Sequence, residues 1–177
     1  VDNPIQSRGK QDMAITLPAG APATLGEAFA HINQLTSPSL DDLKIMVLLE
    51  AAGLELYRGV SASTDNAEIA ALMDHNGREE LAHAHRVSKA ILAISGEEFL
   101  PPEPADNPYL ATALPGMVAS PDMLRGLAKG EFFGETLYET WAGNAENAEA
   151  ARLFRLNGKE EADHGNRLLE AAALLEA

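Results

Sequence analysis

Shifted against itself by 81 residues, the sequence repeats. Glu50 falls on Glu131, Gly53 on Gly134 and Leu56-Tyr57 on Leu137-Tyr138. Further along, Asn66-Ala67-Glu68 falls on Asn147-Ala148-Glu149, Asn76-Gly77 on Asn157-Gly158, Glu79-Glu80 on Glu160-Glu161, His83 on His164 and Arg86 on Arg167. No gap is needed from Glu50 to Ala90. Internal repetition constrains a fold more than any single residue does, because each copy must be one structural unit. Two copies predict two units related by a pseudo-two-fold axis. The matched residues are not all core types. An amphipathic helix repeats Leu and Ala for packing, but has no packing reason to repeat a Glu on its apolar face.

The units are helical. Leu43, Met46, Val47, Glu50, Leu54 and Tyr57 fall on one face at helical spacing, predicting a helix from about Ser39 to Ala62. A second is predicted from a capping box at Asp65 and Glu68 to the stop signal Ser95-Gly96. Ser120-Pro121-Asp122 opens a third, with Ser as cap and Pro in the first turn, ending near Gly143-Asn144. A fourth runs from about Glu146 to the C-terminus. Upstream, Thr24 and Glu27 form a capping box for a short helix to about Leu35, before Ser37-Pro38-Ser39 breaks the chain. Residues 1–23 read as an extended arm. No segment alternates with period two, so no sheet is expected and the chain is all-α. The expected division is an arm and short helix over 1–38 and a helical domain over 39–177.

Between the second and third long helices lies a Pro-rich stretch, about Glu97 to Ala119, with Pro101, Pro102, Pro104, Pro108 and Pro115. A loop this long inside a compact domain needs a reason. Two antiparallel hairpins joined by a long crossover supply one, giving an antiparallel four-helix bundle with ferritin-like topology.

Glu80 and His83 are three residues apart and point the same way from one helix, as do Glu161 and His164. Glu50 lies on the face that should be buried, with Tyr57 two turns on, and Glu131 with Tyr138 repeats this. An ionised carboxylate costs several kcal/mol to bury unpaired. Four at one centre repel, and two divalent cations cancel them, with the imidazoles binding neutral. A Glu from each of two helices plus a Glu-x-x-His from each of the others is a two-metal ligand set. Glu50, Glu80, His83, Glu131, Glu161 and His164 are therefore the expected metal ligands. Cysteine is absent, which excludes thiolate zinc, iron–sulfur and rubredoxin-type iron sites.

On these residues the chain resembles rubrerythrin-type members of the ferritin-like superfamily, from about Leu40 to the C-terminus. The resemblance implies two iron ions, with manganese or a mixed pair also fitting carboxylate and imidazole ligands. It implies Glu50 and His83 as terminal ligands of one metal, Glu131 and His164 of the other, and Glu80 and Glu161 as bridges. Full-length rubrerythrins add a Cys-rich electron-donating domain. A chain without Cys is similar to shortened, erythrin-like relatives and implies an external electron donor. Gly134 stands where rubrerythrins carry an extra Glu, so the ligand set resembles the symmetric site of bacterioferritin. Leu81 stands where the bacterioferritin haem-ligand Met would fall, so no haem is expected.

Tyr57 and Tyr138 are expected to donate hydrogen bonds to ligand carboxylates or to relay electrons. Gly77 and Gly158, one turn before Glu80 and Glu161, are read either as room beside the metals or as close helix packing. His31, His75 and His85 have no repeat partner and are read as surface residues. Glu79 and Glu160 do repeat but point about 100° from their neighbours. They are read as solvated salt-bridge formers. Trp141 and Phe132-Phe133 are read as core or as a dimer contact.

The function expected is peroxidase or ferroxidase chemistry, in oxidative-stress or iron handling. The alternatives are an iron-binding or storage protein without turnover, and a structural bundle with an idle site. A formal net charge of −14 argues against phosphate-backbone contacts with nucleic acid. No run of 18 or more apolar residues spans a membrane, and the first residues lack a signal-peptide pattern. A cytoplasmic location is expected, as is a homodimer, with the crossover permitting a domain-swapped form.

Overall fold

The computed structural model describes residues 15–112, 114 and 116–177. Most of the expected N-terminal arm, residues 1–14, and Pro115 of the crossover lie outside the described residues. Among those described, the protein is all-helical: α1 Leu25–Ile32, α2 Leu40–Ala62, α3 Ala67–Ser95, α4 Pro121–Asn144 and α5 Ala148–Leu174, with 3-10 turns at Pro104–Asp106 and Pro108–Leu110.

Each helix starts where a short polar side chain satisfies free amides. Thr24 and Glu27 form the expected capping box, and Ser39 forms another with Asp42. Asp42 also lies 2.6 Å from His31 Nε2, tying α1 to α2. Asn66 and Asn147, repeat partners, cap α3 and α5 by accepting from two amides each. This corrects the expected cap at Asp65: Asn66 Oδ1 reaches both amides, and the box is not formed. It likewise moves the start of α5 from Glu146 to Ala148. Ser120 caps α4 with Pro121 in the first turn, and Gly96 ends α3 in the left-handed region at φ 74°. α1 ends at Ile32, short of Leu35, because the chain tightens into i→i+3 bonds (Gln34 N to His31 O and Leu35 N to Ile32 O, both 3.1 Å) ahead of Pro38.

α2 packs against α3, α4 against α5, and α3 against α5. Within each pair the contacts run antiparallel. A Cβ on Gly77 would meet Tyr57, and one on Gly53 would meet Glu80; Gly158 faces Tyr138 and Gly134 faces Glu161 in the same way. Gly77 and Gly158 are thus close-packing positions: an added Cβ would stand 3.1 Å from Tyr57 Cβ and 3.2 Å from Tyr138 Cβ, respectively. Each glycine costs its helix about 1 kcal/mol relative to Ala.

The apolar core forms two clusters with the polar centre between them. One gathers Ala28 and Ile32 of α1 with Leu48, Tyr138, Trp141 and Phe154. The other gathers Tyr57, Val60, Ile69, Met73, Leu124 and Leu168. Trp141 belongs to the core, its Nε1 donating to Leu35 O at 2.8 Å. Phe133 is exposed, whereas Phe132 packs on Gly165. The crossover is pinned: Asn107 Nδ2 donates to Leu48 O at 2.8 Å, Tyr109 Oη to Pro22 O at 3.1 Å, and Ala119 N to Ser63 Oγ at 2.9 Å. No helix of the described residues is long and apolar enough to cross a membrane.

Candidate metal centre

α2 brings Glu50, α3 Glu80 and His83, α4 Glu131, and α5 Glu161 and His164 to one place between the two core clusters. Glu50, Glu80 and Glu161 are buried and both histidines are fully so. Glu131 is half-buried, its side chain 14 % exposed. Ligand atoms of Glu80, His83, Glu161 and His164 all lie within 4.8 Å of one another. This group could hold a metal ion.

The distances divide the cluster into two equivalent halves. His83 Nδ1 lies 3.2 Å from Glu161, 3.5 Å from Glu50 and 4.0 Å from Glu80. His164 Nδ1 lies 3.2 Å from Glu80, 3.6 Å from Glu131 and 3.8 Å from Glu161. Glu80 and Glu161 therefore approach both imidazoles, whereas Glu50 and Glu131 each approach one. The rings stack, with centroids 5.0 Å apart.

Both Nδ1 atoms are buried without a hydrogen-bond partner. Buried polar atoms are nearly always paired, so two orphans at symmetric positions call for a ligand. Their other nitrogens explain the orientation. His83 Nε2 lies 3.2 Å from Glu160, and His164 Nε2 lies 3.2 Å from Glu79. Burial opposes ionisation of Glu160, but contacts from His83 and Arg86 hold its pKa down at about 2. An ionised carboxylate only accepts, so Nε2 carries the hydrogen. In a neutral imidazole that leaves the Nδ1 lone pair facing the carboxylates.

Glu79 and Glu160 do form the expected salt bridges, with Arg167 and Arg86, but they are part-buried rather than solvated and also orient the histidines. Each sits on the helix opposite the histidine it holds. Arg86 grips Glu160 through both terminal nitrogens, at 2.7 and 2.8 Å, and donates to Asn157 at 3.1 Å. Arg167 grips Glu79 and Asn76 in the repeat-equivalent way. Asn157 Nδ2 and Asn76 Nδ2 donate in turn to the carbonyls of His83 and His164, at 3.3 and 3.4 Å. The available signal was the repetition of Arg86, Asn76 and Glu79 alongside the ligands. Of the unrepeated histidines, His75 and His85 are exposed, and His75 lies 3.2 Å from Glu79.

The tyrosines cross between halves: Tyr57 donates to Glu131 and Tyr138 to Glu50. Burial, then the Glu131 charge, pushes the Tyr57 pKa well above its ordinary value; burial and Glu50 do the same to Tyr138. Both hydroxyls stay protonated and act as donors.

Electrostatics test whether cations fit. Burial, then the charges of Glu50 and Glu131, pushes the Glu80 carboxyl well above the usual range. Burial also raises Glu161, with Glu131 and Glu80 adding to it against a lowering contact from His83. Burial disfavours a charged His83, yet Glu160, Glu161 and Glu50 raise its pKa well above the histidine norm. The protein therefore gathers protons where positive charge is wanted, and a metal ion bound there would compete for the same atoms. Carboxylates and imidazoles free of thiolate suit a hard or borderline divalent ion.

A cavity of about 330 Å³ reaches Glu50, Glu80, Glu131 and Glu161 from between α2 and α4. Gly53 and Gly134 make room at its floor: an added Cβ would lie 2.9 Å from Glu80 Cγ and 3.2 Å from Glu161 Cδ.

No family model, curated protein or solved structure matches this chain, so the reading of the centre rests on its own geometry.

Proposed function

We propose that the protein is a ferritin-like di-metal carboxylate protein, with α2–α5 as an antiparallel four-helix bundle holding two iron ions, or manganese in their place. The observation that carries this reading is the pair of orphaned buried Nδ1 atoms, each flanked by three carboxylates in repeat-equivalent positions. Four carboxylates and two neutral imidazoles balance two divalent cations. Glu50 and His83 would hold one ion, Glu131 and His164 the other, with Glu80 and Glu161 between them.

Ferrous ions bound there would supply the two electrons that a peroxide or dioxygen molecule takes up. The chain's own residues do the rest. Glu79 and Glu160 hold the imidazoles in one tautomer. Tyr57 and Tyr138 fix the outer oxygens of Glu131 and Glu50, leaving the inner ones to bind. The two core clusters exclude water from both ends. Peroxide reduction or ferroxidase turnover follows, with reducing equivalents from an external donor.

Anaerobic titration with ferrous iron tests the metal reading, and two ions per chain are expected. Rapid mixing with peroxide, and separately with dioxygen, then tests turnover by the rise of ferric absorbance and by its recurrence when a reductant is added. Uptake of two ions without recurrent oxidation would leave storage in place of catalysis. Absence of uptake would sink the whole reading.

A further inference from the structure

The cavity between α2 and α4 has two characters. Its floor is the four carboxylates, and its walls are apolar side chains such as Leu25 and Phe29 of α1, Leu49 and Leu56 of α2, and Leu127 of α4. The internal repeat breaks here. Where α2 carries Ile45 and Leu49, both buried, α4 carries Gly126 and Gly130 at the equivalent positions. With Gly134 they form a stripe at every fourth residue that opens the wall, and a Cβ at Gly126 or Gly130 would meet nothing within 4 Å. Glycine weakens a helix interior, so a stripe of three, absent from the sister helix, calls for an occupant. The second observation is the floor itself, where Glu50, Glu80 and Glu161 are more than nine-tenths buried and line the cavity.

We propose that this cavity binds a neutral, apolar organic molecule end-on to the carboxylate floor. A volume of about 330 Å³ falls at the small end of the range organic ligands occupy. Dioxygen or peroxide alone does not require such walls. A travelling cation needs several oxygen ligands along its way, and above the carboxylate floor the side chains of these walls offer only that of Asn33. The lining holds no Lys, Arg or His, so an anion finds no counter-charge there. The inference rests on the two-metal reading for the neutrality of its floor, because two divalent cations would cancel the four carboxylates and leave no site for an organic cation.

The test uses the metal-loaded protein and a matched pair of fluorophores, neutral N-phenyl-1-naphthylamine and its anionic analogue 8-anilino-1-naphthalenesulfonate. The neutral probe is expected to bind saturably, one per chain, and the sulfonate about tenfold or more weaker. Gly126→Phe, one turn beyond Gly130 and clear of the ligands, should abolish binding of the neutral probe while two manganese ions still load and the melting temperature does not fall. Three results overturn the proposal: no saturable binding of the neutral probe, equal binding of the two probes, or unchanged binding in Gly126→Phe. Binding that follows a concentration-dependent change in oligomeric state also overturns it, by assigning the groove to a second copy of the chain. Failed probe binding with intact metal uptake condemns the cavity proposal alone, whereas failed metal uptake condemns the metal reading.

Discussion

The two sides of the carboxylate cluster are built to opposite rules. On the α3/α5 side the polar groups, apart from the two free Nδ1 atoms, form a closed chain: each histidine is held by a Glu, each Glu by an Arg, and each Arg by an Asn that returns to a histidine carbonyl. On the α2/α4 side, glycines and aliphatic side chains leave a cavity that ends on the carboxylates. A closed network fixes geometry because moving one member strands another in a medium where stranded polar groups are costly. An apolar cavity does the reverse, holding nothing in place and admitting something from outside. The repeat is faithful on the closed side, where Glu79, His83 and Arg86 all recur. It breaks on the open side, where Ile45 and Leu49 give way to Gly126 and Gly130. Symmetry is retained around the histidines and carboxylates and is lost along the cavity wall.

The largest effect is expected at the carboxylates the two sides share. Glu80→Ala removes an oxygen donor from both histidine sites, and at least one of two ions per chain should be lost, read by metal analysis after gel filtration. Retention of both would end the bridging assignment.

The closed side is tested next by Glu160→Gln, which removes the charge that fixes the His83 tautomer. Metal affinity should fall by about 10–100-fold, and competition against a chelator measures it. Glu79→Gln should do the same through His164, whereas an effect confined to thermal stability would make the pair merely structural. Protons sharpen the same point. Glu80, Glu161 and His83 have raised pKa values in the metal-free protein, so loading must release protons and affinity must fall as pH is lowered. Calorimetry in buffers of different ionisation enthalpy reads the release.

A smaller loss is expected at the tyrosines. Tyr138→Phe strips Glu50 of a charge-assisted hydrogen bond worth about 1.5 kcal/mol, or roughly tenfold in affinity for the ion nearest Glu50. The smallest effect belongs to the glycines at the floor. Gly53→Ala places a methyl 2.9 Å from Glu80, tighter than the 3.2 Å at Gly134. The overpacking costs about 1–3 kcal/mol, and helix propensity returns about 1 kcal/mol of it. Gly53→Ala should therefore lower the melting temperature more than Gly134→Ala, and the reverse order would show that the floor yields on the α2 side.

Much of this was legible in the chain itself. The eight positions of the centre followed from an ungapped repeat and from Glu and His three residues apart on one helix. The helix starts at Leu25 and Pro121 followed from Thr24 and Ser120 as caps. The hold of Glu79 and Glu160 on the histidines did not follow, although their salt bridges did. Helical spacing tells which way a side chain leaves its own axis, and by that measure both point away from the ligands. Only the packing of α3 against α5 decided that this direction meets the opposite histidine. The crossing of Tyr57 to Glu131 and of Tyr138 to Glu50 is of the same kind, as is the choice of Nδ1 over Nε2 as the free nitrogen. The open side was the least legible. Gly126 and Gly130 read alone as weak points of a helix, and they became a wall only when α2 and α4 stood apart with the carboxylates at the bottom of the gap. Sequence determined which residues lie on each helix face, because that depends on local backbone geometry. Tertiary structure decided what each face meets, because that depends on where the other helices stand.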